Sequence, residues 1–235
     1  MCGINGILNL KNPAPIELDY LKRMTFSLRH RGPDEAGAYL DDWIGLAQSR
    51  LSIIDLSSGS QPIHNENKTL WIIFNGEIFN YPEIRSELIN RRHKFYTTSD
   101  TEVILHLYEE KKEKCLEELN GQFAFAIWNS SNKELFIARD RVGILPLFYK
   151  YENDKLIFAS EAKAIIEVSN SKTYLDPIGL DQIFTFWTTL PGRTAFKDIK
   201  ELPPGHFLKF SPQSGIKTRR YWDIPYSEDL LSNDK

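Results

Sequence analysis

The stretch QFAFAIW, residues 122–128, restricts the possible folds of this chain more than any other. Read as a strand, it places Phe123, Phe125 and Ile127 on one side and Ala124, Ala126 and Trp128 on the other, because side chains alternate along an extended backbone. A strand that is apolar on both faces must be covered on both, so its sheet has to lie inside a layered structure. Seven further runs of β character recur along the chain: CGINGIL, IGLAQSRLSII, LWIIFN, ELFIARD, PLFYK, KLIFAS and HFLKF. Each is bounded by Gly, Pro, Asn or Asp, which makes at least eight strands the expectation.

Helical periodicity lies between these runs. Ile16 to Leu28 carries Leu18, Leu21, Thr25 and Leu28 on one stripe, Pro82 to Arg92 carries Ile84 and Leu88, and Thr101 to Glu110 carries Val103, Ile104, Leu107 and Tyr108. Ser99 with Glu102 three residues on reads as a capping box at the start of the last of these. Strands cluster and helices cluster, an order that favours α+β layering over regular βαβ alternation. No GxGxxG or GxxxxGK[ST] phosphate loop occurs, in agreement with that order. No repeat or low-complexity tract interrupts the chain, and one domain is expected over residues 1–222, with 223–235 as a trailing segment.

The 29 basic and 32 acidic residues leave a net charge of -3, which provides no electrostatic footprint for nucleic acid or an anionic membrane. No apolar run approaches the roughly 20 residues that span a bilayer, and the N-terminus lacks the form of a signal peptide, so a cytoplasmic protein acting on a small molecule is expected. The two cysteines, Cys2 and Cys115, have no CxxC spacing, so neither a disulfide framework nor a zinc site follows from them. His30, His64, His93, His106 and His206 show no HxH, HExxH or HxxxH pairing, and no metal site is expected from them. Cys115, in KCLEELNG, reads as a small buried residue on a short helix with Leu116 and Leu119. The tryptophans, Trp43, Trp71, Trp128, Trp187 and Trp222, read as packing residues.

Cys2 is different, because it stands beside Met1 and ahead of a strand. Removal of Met1 gives a residue with both a thiol and a free α-amine. With a pKa of about 7.7 to 8.0, against about 10.4 for lysine, that amine can take the thiol proton near neutral pH. An acyl-transfer nucleophile also needs oxyanion donors, and FNGEIFNY, where LWIIFN meets Asn75-Gly76, offers the Asn75 amide and the Gly76 N–H. The same Asn-Gly pair equally reads as a hairpin turn. Arg50, at the end of IGLAQSR, is either solvated or a two-pronged carboxylate clamp. Asp100 is either part of a helix start or a partner for a substrate ammonium. Thiol, clamp and acid together would select an α-amino acid.

Order and spacing then identify a family. MCGINGIL, RHRGPDEAG, SRLSIIDLSSGSQPI, NGEIFNYPEIR, TSDTEVILHLYEE, NGQFAFAIWN, ARDRVGILPLFY, FASEAKAI and LPPGHFLKF together resemble the class II glutamine amidotransferase domain of glutamine-hydrolysing asparagine synthetases. The resemblance implies the N-terminal-nucleophile hydrolase fold, a four-layer αββα sandwich with two mostly antiparallel sheets between helical layers. It implies Cys2 as nucleophile, Asn75 and Gly76 as oxyanion hole, Arg50 on the glutamine α-carboxylate, and Glu77 and Asp100 on its α-amino end. Leu51, Ser52, Ile53 and Ile54 match the pocket lining, and Arg139 with Asp140 matches a paired charge supporting the site.

The implied reaction is hydrolysis of L-glutamine to glutamate and ammonia through a Cys2 thioester, with the ammonia passed along an internal channel. Its destination is a C-terminal synthetase domain to which 223–235 forms the linker. No cofactor is implied for this domain, whereas ATP and Mg are implied for the synthetase domain, which lies outside these residues. A homodimer is also implied. Two other readings remain at this stage: an amidotransferase domain serving another acceptor, such as a polysaccharide sugar, and a glutamine-binding module without turnover.

Overall fold

The computed structural model describes residues 1–225; of the linker expected over 223–235, residues 226–235 lie outside the described residues. In chain order the elements are β1 (Gly3–Asn9), α1 (Leu18–Ser27), β2 (Glu35–Leu40), β3 (Ile44–Arg50), β4 (Ile63–His64), β5 (Leu70–Ile78), α2 (Tyr81–Asn90) and α3 (Asp100–Lys111). A 3-10 turn (Lys112–Lys114) leads into α4 (Cys115–Glu118), β6 (Gly121–Asn129), β7 (Glu134–Arg139), β8 (Phe148–Glu152), β9 (Lys155–Ala159) and α5 (Ala162–Ile166). The last elements are α6 (Pro177–Phe186), β10 (Ile199–Glu201), β11 (His206–Ser211) and β12 (Gly215–Arg220).

Two six-stranded sheets result, one ordered β10-β8-β9-β1-β3-β2 and the other β12-β11-β7-β6-β5-β4. The alternation in β6 stacks them. Ala124, Ala126 and Trp128 join Ile4, Leu8, Ile44 and Leu46 of the first sheet in the core between the sheets. Phe123, Phe125 and Ile127 point the other way, into a core closed by Ile84 and Leu88 of α2 and Val103, Ile104, Leu107 and Tyr108 of α3. The outer face of the first sheet is covered by α1 and α5, with Ile7, Ala47 and Ile157 packing on Leu21, Met24, Leu28 and Ile165. The layers therefore run helix, sheet, sheet, helix, which is the expected αββα sandwich.

Several local expectations change in the folded chain. Leu18 is exposed and Met24 takes its place in the buried stripe of α1. The run IGLAQSRLSII is strand only to Arg50. Ser99 accepts the Thr101 N–H as an N-cap, but Glu102 does not return to the Ser99 backbone. Its carboxylate accepts the N–H groups of Tyr96 and Thr97 and the Thr97 hydroxyl, so the capping box is only half made. Trp187 is not packing at all, being 93% exposed.

Asn75-Gly76 makes no turn either. β5 runs through it, with Asn75 opposite Ala124 and Gly76 opposite Phe123. A Cβ on Gly76 would lie 2.2 Å from the Gln122 carbonyl oxygen, at a φ of +154°, so only glycine lets the two strands close at this point.

Candidate active site

Strands of both sheets, β3 and β5 among them, end at an open cleft. It is lined by Cys2, Arg50, Leu51, Ile53, Ile54, Asn75, Gly76, Glu77 and Asp100, with Met1 at its rim. The fold thus gathers every expected site residue except Ser52, which does not line the cleft; its N–H donates to Asp34 at 2.8 Å.

Cys2 directly precedes β1, a central strand of its sheet. The Arg31 guanidinium holds the Cys2 carbonyl at 2.9 Å, while the Sγ rests 3.7 Å from the Leu51 carbonyl oxygen. Burial pushes the thiol pKa up, against the lowering pull of the Leu51 contact, the terminal ammonium and Arg50. A thiol raised in this way needs a base to become a nucleophile.

Asn75 is fully buried, yet among the described residues neither its Nδ2 nor its Oδ1 has a hydrogen-bond partner. The strand around it is tightly held. Gln61 accepts the Phe74 N–H at 2.6 Å, and Gln48 of β3 donates to the Phe74 carbonyl at 2.7 Å, bridging the two sheets. Gln61 also donates to Thr101 at the start of α3. These two glutamines position the peptide next to Asn75, and sequence reasoning passed over both. SGSQPI carried the only local signal for Gln61, and Gln48 looked like one more strand residue.

Arg50 is buried, with Nη1 on the Glu35 carboxylate at 3.2 Å and Nη2 on the carbonyls of Ile54 and Asp55 at 3.0 and 2.6 Å. The guanidinium is thereby locked as a fixed positive charge on the cleft wall. Asp100 opens α3 and accepts the Ile78 N–H at 3.1 Å. Desolvation by burial is the main cause that pushes its carboxyl up to about 6, and the nearby Glu77 charge adds to it. Cation and acid stand on one cleft with the thiol, and this arrangement suits a zwitterionic amino acid.

Arg139 and Asp140 are not a pair. Arg139 donates to the carbonyls of Leu145, Leu202 and Gly143 and pairs with Glu201 at 2.8 Å. Asp140 accepts from the N–H groups of Phe123, Ile144 and Leu145. Each separately pins the 140–145 turn, whose Leu145 lines the cleft. Cys115 is fully buried away from the cleft. The histidines are separate in sequence only, since His93 and His106 lie side by side in the folded chain.

Comparison with known proteins gives a consistent result. Residues 1–222 match the family described as "Glutamine amidotransferase domain". The chain is 41% identical over 237 residues to asparagine synthetase [glutamine-hydrolyzing] 3 of Bacillus subtilis, covering 100% of this chain and 38% of that protein. It is 43% identical over 169 residues to asparagine synthetase B [glutamine-hydrolyzing] of Escherichia coli, covering 72% of this chain and 30% of that protein. The chain therefore spans about a third of the length of these relatives. Among solved structures, the glutamine phosphoribosylpyrophosphate amidotransferase of B. subtilis superposes with a TM-score of 0.67 at 23% identity, covering 94% of this chain and 49% of that one, a likeness of fold.

Proposed function

The chain belongs to the class II glutamine amidotransferase domain family, and on that premise we propose that it is the glutaminase half of a glutamine-dependent asparagine synthetase. The observation that carries the proposal is the unpaired amide of Asn75. Leaving such a group buried without a partner costs about 1–3 kcal/mol. That cost is offset when a negative oxygen forms beside it only during reaction, because a donor already in place needs no reorganisation.

In the proposed reaction the Cys2 thiolate attacks the side-chain carboxamide carbon of L-glutamine, and the Asn75 amide and Gly76 N–H hold the resulting oxyanion. Arg50 faces the α-carboxylate, and Asp100 with Glu77 faces the α-ammonium. Once Met1 is removed, the Cys2 α-amine takes the thiol proton and returns it to the departing ammonia, and water then cleaves the thioester to glutamate. No histidine is required, and none lines the cleft.

The ammonia is proposed to pass to an ATP- and Mg-dependent synthetase domain joined through 223–235. An exposed apolar surface around α6, with Leu175, Ile178, Phe184, Phe186, Trp187 and Leu190, supports a neighbour on that side. Among the described residues no helix is long and apolar enough to cross a membrane, which accords with the proposed cytoplasmic setting.

The test uses one preparation divided by intact mass into chains with and without Met1. Processed chains should release glutamate and ammonia from glutamine and be labelled by 6-diazo-5-oxo-norleucine at Cys2. Full activity in chains that keep Met1 would remove the α-amine from the mechanism, and labelling elsewhere would remove Cys2.

A further inference from the structure

On the outer helical layer, the loop after α2, the helix α3 and the β4–β5 turn bring His93, His106, Glu109 and Glu66 together. The two imidazoles meet through like atoms, with His93 Nδ1 3.2 Å from His106 Nδ1. Glu109 Oε2 lies 2.7 Å from the His106 nitrogen and 3.7 Å from the His93 nitrogen. A Glu66 carboxylate oxygen lies within 4.8 Å of donor atoms on both rings.

Three of the four side chains are hydrogen-bonded from behind. His93 Nε2 meets Glu110 at 3.1 Å, while His106 Nε2 lies 3.5 Å from Glu102 without a hydrogen bond. Glu109 Oε1 is held by the Asn65 amide at 2.7 Å and Glu66 Oε1 by the Lys94 N–H at 3.1 Å, which leaves Glu109 Oε2 for the centre. Imidazole ligands backed by carboxylates are the usual outer shell of a metal site.

Without a proton on either Nδ1, these three converging atoms repel one another unless a cation lies between them. A single proton on His106 can point at Glu109 or at His93, whereas a metal ion serves all three at once. Nitrogen and oxygen ligands at about 2.0–2.1 Å in tetrahedral array are about 3.3 Å apart, and the observed edges of 3.2, 2.7 and 3.7 Å bracket that value.

We propose that His93 and His106, through Nδ1, together with the Glu109 and Glu66 carboxylates bind a zinc ion. Four protein ligands close the coordination, so the role is structural. The ion staples α3 to the preceding loop and to the β4–β5 turn. Asp100, which opens α3, is six residues or about 9 Å of helix from His106, so the staple steadies the element that carries the ammonium-binding acid. None of this depends on the glutamine reading.

The Cys2 thiol and α-amine can themselves chelate zinc, so the test uses the full chain carrying Cys2→Ala, freed of metal with a chelator. Titration with zinc should show one equivalent bound and a melting temperature that rises with zinc concentration. Cobalt(II) should give the intense visible bands of a tetrahedral nitrogen and oxygen site. His93→Gln alters a ring whose side chain is only 16% exposed but sits at the edge of the cluster, and it should fold without metal and bind zinc at least about a hundredfold more weakly. Glu110→Gln, which removes a supporting carboxylate, should weaken binding by about 10- to 100-fold. The proposal fails if zinc neither binds nor raises the melting temperature, leaving a proton as the occupant. It also fails if His93→Gln binds zinc as tightly as its parent.

Discussion

Asn75 and Arg139 occupy one row across the second sheet, with Ala124 between them. Both are buried, yet their hydrogen-bond accounts are opposite. Arg139 spends its guanidinium on three carbonyls and the Glu201 carboxylate, whereas neither polar atom of the Asn75 amide has a partner. A buried charge whose three nitrogens are all engaged belongs to the frame, since removing it strands its partners. A buried amide with no partner lowers stability, and its presence at a cleft beside a thiol marks it as held for something that arrives later. The same depth in the same sheet thus separates scaffold from site, and the distinction lies in what each group bonds.

The contrast can be tested from the site side first. Cys2→Ala should abolish glutamine hydrolysis, while Cys115→Ser, altering a thiol outside the cleft, should leave the rate within a few-fold. Comparable losses from both in a glutamate-release assay would dissolve the assignment of the cleft.

On the frame side, Arg139→Ala should cost about 3–5 kcal/mol in denaturant unfolding, because it leaves Glu201 and three carbonyls without their donor. Asn75→Ala should do the reverse. Its stability should hold or rise, since no hydrogen bond is lost, while kcat falls by about a hundredfold or more with a smaller change in KM. An Asn75→Ala chain that unfolds easily and keeps its kcat would reverse the roles of the two residues.

The smallest effect concerns Asp100. With its carboxyl pushed up to about 6 by burial and by Glu77, it is mostly ionised at pH 7–8, half protonated near 6 and about nine-tenths protonated at pH 5. Its grip on a substrate ammonium weakens as pH falls, so KM for glutamine should rise about tenfold between pH 7.5 and 5, read separately from the larger fall in kcat that protonation of the Cys2 α-amine causes over the same range. Asp100→Asn should show a raised KM that no longer varies over that range. An unaltered KM profile in the variant would remove Asp100 from ammonium binding.

Much of this was legible in one dimension. The two faces of QFAFAIW foretold a sheet with cores on both sides, and Phe123 and Ala124 do enter different ones. The series of motifs beginning at Cys2 points to the residues that line the cleft, Ser52 excepted. Ser52 and the Asn75-Gly76 turn were misread because LSII and Asn-Gly carry the same local signals whether they line a cleft or not. The Asp34 carboxylate on the Ser52 N–H and Phe123 pairing with Gly76 are contacts made from elsewhere in the chain.

The sequence by itself determined the buried faces of the central strands, the positions within a few residues of eight strands and of the helices α1 to α4, and that a thiol stands at the head of the first strand. Those properties follow from period, local propensity and position, which neighbours in the chain settle among themselves. Only the tertiary structure decided which polar groups find partners. Glu102 turned from the Ser99 backbone to Thr97, Arg139 took Glu201 in place of Asp140, His93 met His106 across a loop, and Asn75 was left with none. Hydrogen bonding is short-ranged and directional, so its outcome depends on distances that exist only after remote segments have closed on one another.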